Sequence, residues 1–162
     1  MRRLVLALFL LLVSCGSSRS VEGTFPPTTP TPATPTPAPT AIVVFGTKLF
    51  HTPSGNIGCV MTKEGTPLMA RCDIANRTWT APKKKPKDCP LDYGNGVEVV
   101  DGKKGAFTCA GDTVLHQGDE ERYGQTLRIG VLVCDIEQAG VTCTNEASRH
   151  GFFLSRTTAR LF

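Results

Sequence analysis

Histidine is the side chain best suited to acid–base chemistry near neutral pH, and this 162-residue chain contains three: His51, His116 and His150. His51 is close in sequence to Ser54, and Asp73 would complete the side-chain types of a Ser/His/Asp nucleophilic site. However, Ser54 lies in Pro-Ser-Gly-Asn, which is typical of a turn and contains no nucleophile elbow. We therefore predict that Ser54 is a turn residue, and we predict no catalytic residue.

Four acidic residues follow further along the chain: Asp112, Asp119, Glu120 and Glu121. Carboxylates in such numbers suit general-acid catalysis or calcium binding. Their spacing lacks the alternating oxygen ligands of a calcium loop, so we predict a solvated acidic turn. We predict neither a metal ion nor a cofactor.

The chain contains seven cysteines, of which Cys15 lies near the start and six lie in the last two thirds. An even number of cysteines in an exported domain predicts a disulfide framework, for which six residues allow 15 connectivities. None of the six is spaced as Cys-x-x-Cys, so the usual signatures of a thioredoxin-like site and of a zinc ribbon are missing. The six are Cys59, Cys72, Cys89, Cys109, Cys134 and Cys143.

A basic run and a single tryptophan are candidates for contact with other molecules. Lysines occupy four of five positions between residues 83 and 87; the run is either a solvated loop or a contact for anionic wall polymers or phospholipid head groups. The tryptophan, just before this run, is either a core plug against a disulfide or a platform for stacking sugars. The candidate surface-binding residues are Trp79, Lys83, Lys84, Lys85 and His150.

The chain begins with Met-Arg-Arg and the apolar stretch Leu4–Val13. A stable transmembrane helix needs about 20 apolar residues, so this stretch has the length of a signal peptide instead. Leu12-Val13-Ser14-Cys15 resembles the lipobox of bacterial lipoprotein signal peptides. That resemblance implies a diacylglycerol thioether on Cys15, commonly with a further acyl group such as palmitate. The alternative is an ordinary secretory signal with an incidental cysteine.

A Pro/Thr-rich segment, Thr24–Thr40, follows the leader and contains seven proline and seven threonine residues with no charge. This composition cannot form a core and favours extended polyproline II, which would reach about 50 Å. It is either a bare spacer or an O-glycosylated stalk. We therefore divide the chain into a lipoprotein signal peptide (1–14), a lipidated disordered linker (15–40) and a disulfide-bonded β domain (41–162).

The predicted β domain has short runs of Val, Ile, Phe and Thr between Gly, Pro, Asn and Asp turns. We predict a small, disulfide-stapled antiparallel barrel or sandwich. Gly130 should mark a bulge or bend in one long strand, Gly94-Asn95-Gly96 a turn, and residues 156–162 could close as a short turn of helix. The predicted strands are Ile42–Phe45, Ile57–Thr62, Leu68–Ile74, Val97–Val100, Ala106–Cys109, Leu127–Ile136, Val141–Thr144 and Phe152–Ser155.

Two hairpin registers predict the disulfide pairs. In the first hairpin, residues whose numbers add up to 131 face each other. This register places Cys59 opposite Cys72, with the turn built around Gly65. Pairing positions that sum to 277 places Cys134 opposite Cys143, with the turn at 137–140. Directly opposed antiparallel residues lie about 4.5–5.5 Å apart at Cα, within the range of a disulfide. The remaining pair is then Cys89 with Cys109.

The domain from about residue 50 onward resembles a family of exported, mainly actinobacterial, cysteine-rich proteins of unknown function. The resemblance implies a disulfide-bonded secreted domain and transfers no catalytic residue. It rests on segments that occur in the same order as in the family: Phe50–Cys59 (FHTPSGNIGC), Arg71–Asp73, Trp79–Pro82, Cys89, Phe107–Asp112 (FTCAGD), Tyr123-Gly124, Gly140–Cys143 (GVTC) and Gly151–Arg156 (GFFLSR).

These features predict a lipoprotein on the extracytoplasmic face of the cell membrane, which it joins through its lipid anchor. Loss of Arg2 and Arg3 with the leader lowers the formal charge from +4 to +2, which gives no reason to expect a nucleic-acid partner. The first hypothesis is a non-enzymatic module that binds or modulates a wall polymer or envelope protein. The alternatives are an envelope hydrolase using His51, Asp73 or His150, and a small-ligand carrier in a β barrel.

Overall fold

The computed structural model describes residues 40–64 and 67–162. The leader, Cys15, most of the Pro/Thr-rich segment and Gly65 lie outside these residues. The described part contains strands and no helix. In chain order the strands are β1 (Ile42–Val43), β2 (Thr47–His51), β3 (Ile57–Thr62), β4 (Met69–Ile74), β5 (Tyr93–Val100), β6 (Ala106–Cys109), β7 (Asp119–Glu120), β8 (Gln125–Ile129), β9 (Leu132–Glu137), β10 (Gly140–Asn145), β11 (His150–Leu154) and β12 (Ala159–Leu161).

The strands form two six-stranded sheets. The first has the order β1-β8-β9-β10-β11-β12 and the second β6-β5-β4-β3-β2-β7. Only β1 with β8 and β2 with β7 pair in parallel among the described strands. β5 of the second sheet lies against β10 and β11 of the first. The all-β fold class is confirmed, and the sandwich fits, because the sheets do not close into a barrel.

The core lies between the sheets because alternate residues of the central strands are apolar and point inward. Its largest fully buried side chains include Phe50, Met61 and Phe152. Two disulfides complete the core. Cys59–Cys72 joins directly opposed residues of β3 and β4, and Cys134–Cys143 does the same for β9 and β10.

The third disulfide, Cys89–Cys109, ties the loop before β5 to the end of β6. The three pairs are those expected from the sequence, and both predicted hairpin registers occur. In each of the two core disulfides the Cα atoms are 4.1 Å apart, at the close spacing of a non-hydrogen-bonded antiparallel pair.

The long strand predicted over 127–136 is wrong. The structure has two strands there, β8 and β9, joined by a tight turn at Gly130 and Val131. Gly130 has φ +57°, which a two-residue hairpin turn needs and glycine supplies at little cost. The sequence conceals this turn because the residues on both sides of it are apolar and buried.

The predicted helical turn at the C-terminus is also wrong. Ala159–Leu161 forms β12, which pairs with β11. Beyond it, the amide groups of Gly151 and Phe162 each donate to the other residue's carbonyl, at 2.8 and 3.0 Å. The proposed turn at 94–96 is instead an irregularity inside β5, where the register with β6 shifts. In all three segments, pairing with the adjacent strand of the sheet decides the outcome, and the local residue pattern does not show it.

Candidate functional site

A cleft of about 440 Å³ lies at one end of the sandwich. One wall comes from the second sheet, at the turn between β2 and β3 and at the residue after β4. The other wall comes from the first sheet, at the β9–β10 turn and at the residues that follow β11. Tyr123, just before β8, completes the lining.

The first wall is held in place by its own hydrogen bonds. The amide of Thr52 donates to the carbonyl of Ile57 at 3.0 Å, and the amide of Gly55 donates to the carbonyl of Thr52 at 2.8 Å. Ser54 Oγ lies 3.2 Å from Thr52 Oγ1 and accepts from the amide of Asn56 at 3.3 Å. Ser54 is therefore a turn residue, as predicted.

Asn56 also fixes the segment after β4. Its side-chain amide donates to the carbonyl of Asn76 at 3.0 Å, and its side-chain oxygen accepts from the amide of Asn76 at 2.8 Å. Asn76 lines this cleft and also a second, more polar depression of about 550 Å³ that contains Asp73 and Asp112. The reciprocal bonds position Asn76 between the two depressions.

The second wall depends on a glycine. Gly140 has φ +151°, and a Cβ atom there would lie 2.4 Å from the carbonyl oxygen of Leu154. The missing side chain therefore lets β10 and β11 approach closely beside the cleft. Ser155 follows β11 and is buried. Its Oγ accepts hydrogen bonds from the amides of Thr157 and Thr158 at 3.3 and 3.1 Å.

Tyr123 lies in the turn that precedes β8. The amide of Gly124 donates to the carbonyl of Ile136 at 2.7 Å, which attaches this turn to β9. The amide of Arg122 donates to the side-chain carbonyl of Gln125, which closes the turn. Tyr123 is 38% exposed, so the phenol ring is available to a molecule in the cleft.

Some side chains that line the cleft do not help to hold its walls in place. Among the described residues, no hydrogen bond or ion pair involves the side chain of Tyr123, Glu137, Gln138 or Arg156. These groups together offer an aromatic surface, an amide and both signs of charge. Such a combination suits reversible binding of a polar ligand.

The residues of the hypothetical nucleophilic site are not brought together. Ser54 bonds within its own turn, and His51 Nδ1 lies 3.2 Å from the carbonyl of Thr52. Asp73 is 2% exposed and binds Arg71 through both carboxylate oxygens, at 3.0 and 2.8 Å. Each of the three is therefore engaged elsewhere. His116 is exposed and has a positive φ of 58°.

Asp73 and Arg71 anchor the loop after β6 to the outer face of the second sheet. Arg71 donates to the side chain and to the carbonyl of Asp112, both at 2.8 Å. The amide of Val114 donates to Asp73 at 3.0 Å. Burial acts to lower the pKa of Arg71, but the bonds to Asp73 and Asp112 outweigh it and raise that pKa. The hydrogen bond from Arg71 lowers the pKa of Asp112.

The other acidic candidates form part of an ion-pair cluster. Asp119 and Glu120 make up β7, at the edge of the second sheet. Lys48 on β2 contacts Asp119 at 2.7 Å and Glu121 at 2.8 Å. These hydrogen bonds raise the pKa of Lys48, and the same lysine lowers the pKa of Asp119. The acidic segment is therefore a short edge strand rather than the predicted turn.

Trp79 is half-buried against the core. Its ring centroid lies 5.9 Å from that of Phe107, and its indole N–H donates to the carbonyl of Ser155 at 2.9 Å. The guanidinium of Arg77 lies 4.6 Å from the Trp79 ring centroid. The tryptophan packs on Phe107 rather than standing free, and its hydrogen bond connects it to the cleft wall.

The remaining candidates lie apart from the cleft walls. The lysine run is fully exposed, and among the described residues it has no ion pair. His150 pairs with Asn145 at the end of β10 opposite the cleft, and its Nδ1 lies 2.8 Å from the carbonyl of Gly102. No group of three or more His, Cys, Asp or Glu side chains in the described part is arranged to hold a metal ion.

Sequence reasoning did not single out Asn76, Glu137 or Gln138. Glu137 and Gln138 were assigned only to the β9–β10 turn, and Arg156 only to a segment of the family resemblance. No local pattern marks these residues, because the cleft forms only when turns from both sheets meet. The weak signals were that Tyr123, the 53–56 turn, Gly140 and Arg156 all occur in the segments that carry the resemblance.

Comparison with protein families decides the affiliation of the domain. Residues 35–162 match a family of unknown function, DUF6636. The chain belongs to this family. No curated protein and no solved structure matches the chain. The DUF6636 match contains the whole described domain and the end of the Pro/Thr-rich segment. Within residues 40–64 and 67–162 there is no helix with the length and apolar character needed to cross a membrane.

Proposed function

We propose that this protein is an exported lipoprotein whose DUF6636 domain binds a component of the cell envelope through the cleft. The proposal assigns residues 1–14 to a signal peptide, Cys15 to lipid attachment and residues 15–40 to a spacer. Two or three acyl chains would hold the protein stably at the outer face of the membrane. The spacer would then present the cleft to wall material.

The observation that supports binding is the contrast between lining residues that hold the cleft walls in place and lining residues whose side chains are unengaged. The side chains of Thr52, Asn56 and Ser155 form hydrogen bonds that hold the cleft walls in place. Tyr123 and Gln138 do not, within the described residues. A rigid frame that carries unengaged polar side chains loses little conformational entropy when a ligand binds.

The binding test uses the full-length protein, purified in detergent and sedimented with isolated cell-wall material. Tyr123→Ala should lower the bound fraction several-fold because it removes the aromatic surface of the cleft. Val131→Ala is the matched control, since Val131 is 42% exposed and lies at the far end of β8. Equal binding by both variants and the unchanged protein would contradict the assignment to the cleft.

The anchoring test is separate. Cells that produce the full-length protein are supplied with labelled palmitate, and the purified protein is checked for label. We expect label on the unchanged protein and on Ser17→Ala, but none on Cys15→Ala, because the thioether can form only at the cysteine. Label retained by Cys15→Ala would show that the lipid is attached elsewhere and would overturn this part of the proposal.

A further inference from the structure

Two residues of opposite charge, Glu137 and Arg156, line the cleft, and the strand register sets the spacing of their backbones. Glu137 ends β9 and pairs with Gly140 on β10, and the register of β10 with β11 places Ser155 on the other side of Gly140. Neighbouring strands lie about 4.8 Å apart, so Glu137 and Ser155 are about 10 Å apart at Cα. Arg156 is the next residue. Glu137 and Arg156 therefore lie on the two sides of β10 in the same wall, with their backbones roughly 10 Å apart.

Some other exposed charges on the described part of the domain are paired with neighbours, whereas the lysine run at 83–87 is not. Arg128 contacts Glu146 at 2.6 Å, and Lys48 contacts Asp119 at 2.7 Å. In the described part of the chain, Glu137 and Arg156 pair neither with each other nor with another side chain. Both charges are therefore free to contact a bound molecule.

We propose that the cleft binds a short peptide or peptide-like chain that carries an ammonium group at one end and a carboxylate at the other. The inference rests on the proposed binding function and specifies its ligand. Glu137 receives the ammonium group and Arg156 the carboxylate, for which its guanidinium has the matching geometry. Three extended residues span about 10 Å, which is similar to the backbone separation of Glu137 and Arg156 across β10.

The other free groups fit the middle of such a chain. The side-chain amides of Gln138 and Asn76 both donate and accept hydrogen bonds, as a peptide backbone requires. The ring of Tyr123 provides an apolar face for a side chain. A neutral oligosaccharide would use the ring and the amides but would leave both charges without a partner. A peptide with two charged ends would contact both, so the two opposite charges favour the peptide.

The test measures the binding of labelled trialanine to the full-length protein in detergent by equilibrium dialysis, with unlabelled analogues as competitors. Trialanine should compete about tenfold or more better than N-acetyl-trialanine or trialanine amide, because each analogue lacks one charge-assisted contact. Glu137→Gln should weaken trialanine binding by a similar factor and abolish the effect of acetylation. Arg156→Gln should do the same for amidation.

The matched controls are Glu120→Gln and Arg149→Gln, which change exposed charges outside the cleft. Both should bind trialanine with the affinity of the unchanged protein. A protein that binds wall material through Tyr123 but fails to bind trialanine would overturn this inference while leaving the proposed function in place. The same holds if a neutral N-acetylglucosamine oligomer binds and neither cleft variant weakens it. If wall binding is absent or independent of Tyr123, the proposed function fails as well.

Discussion

The guanidinium of Arg71 binds the carboxylate of Asp73 through two parallel hydrogen bonds, from Nε to Oδ1 at 3.0 Å and from Nη2 to Oδ2 at 2.8 Å. The two residues lie on the outward face of β4, yet Arg71 is only 8% and Asp73 only 2% exposed. The loop after β6 covers them, and Val114 from that loop contacts Asp73. A charge pair that would normally be solvated thus holds a loop against the sheet.

Replacing one partner of this pair should strongly destabilise the fold. Asp73→Asn leaves the buried Arg71 without its bidentate partner, which costs about 3–5 kcal/mol when a buried pair is broken. The measurement is the free energy of unfolding in urea. Asp112→Asn is the control, because Asp112 is largely exposed and its loss should cost about 1 kcal/mol or less. Equal losses for the two variants would contradict a structural role centred on Asp73.

The covering loop should also be sensitive to a single methyl group at Gly58. A Cβ atom there would lie 2.4 Å from the carbonyl oxygen of Val114, and relief of such a clash costs about 1–3 kcal/mol. Gly111→Ala is the control, since its Cβ would make only an ordinary contact with Leu91 at 3.5 Å. We expect Gly58→Ala to expose the loop to protease at low enzyme concentration, and Gly111→Ala to resemble the unchanged protein.

Glu98, opposite Arg71 on the neighbouring strand, should make stability depend on pH. Burial raises the pKa of Glu98, while Arg71 acts to lower it and Asp73 acts to raise it. The folded state therefore favours the protonated form, and stability falls as pH rises from the ordinary value through the raised pKa. Glu98→Gln should remove this fall. The free energy of unfolding in urea of the variant, relative to that of the unchanged protein, should therefore be more favourable at pH 8 than at pH 4.

Glu146 provides a control of opposite sign. The hydrogen bond from Arg128 lowers the pKa of Glu146. The contribution of Glu146 to the stability of the fold is therefore present above its pKa in the unfolded state and is lost as pH falls through its pKa in the folded state. Glu146→Gln should therefore lose stability at pH 8 and none at low pH. The same direction for both variants would show that the pH dependence comes from other groups.

The three disulfides should differ in their response to a reductant under native conditions. Thiol–disulfide exchange requires access to a sulfur atom. Cys59, Cys72, Cys134 and Cys143 are fully buried, whereas Cys109 is half-buried and Cys89 is 7% exposed. Mild reductant followed by alkylation and mass spectrometry should label Cys89 and Cys109 first. Earlier labelling at a core pair would show that the sandwich opens before this loop does.

The sequence alone was sufficient for the class of fold and for the disulfides. The Cys59–Cys72 and Cys134–Cys143 pairs could be predicted because each closes a local hairpin, where the turn position and the alternation of side chains limit the register. The Cys89–Cys109 pair then followed by elimination. Two strands that each contain a cysteine of the framework, β3 and β6, were predicted with the bounds that the structure has.

Elements without a strong strand signal of their own depended on the tertiary structure. β12 contains no clear strand signal and exists because β11 offers it a free edge. β7 is two acidic residues that pair in parallel with β2. The cleft depends on the same kind of contact, since Ser54, Tyr123, Glu137 and Arg156 come from four separate segments. Side-chain alternation and turn residues can be recognised in the local sequence, whereas strand pairing at the sheet edges and packing of the two sheets decide which distant segments meet.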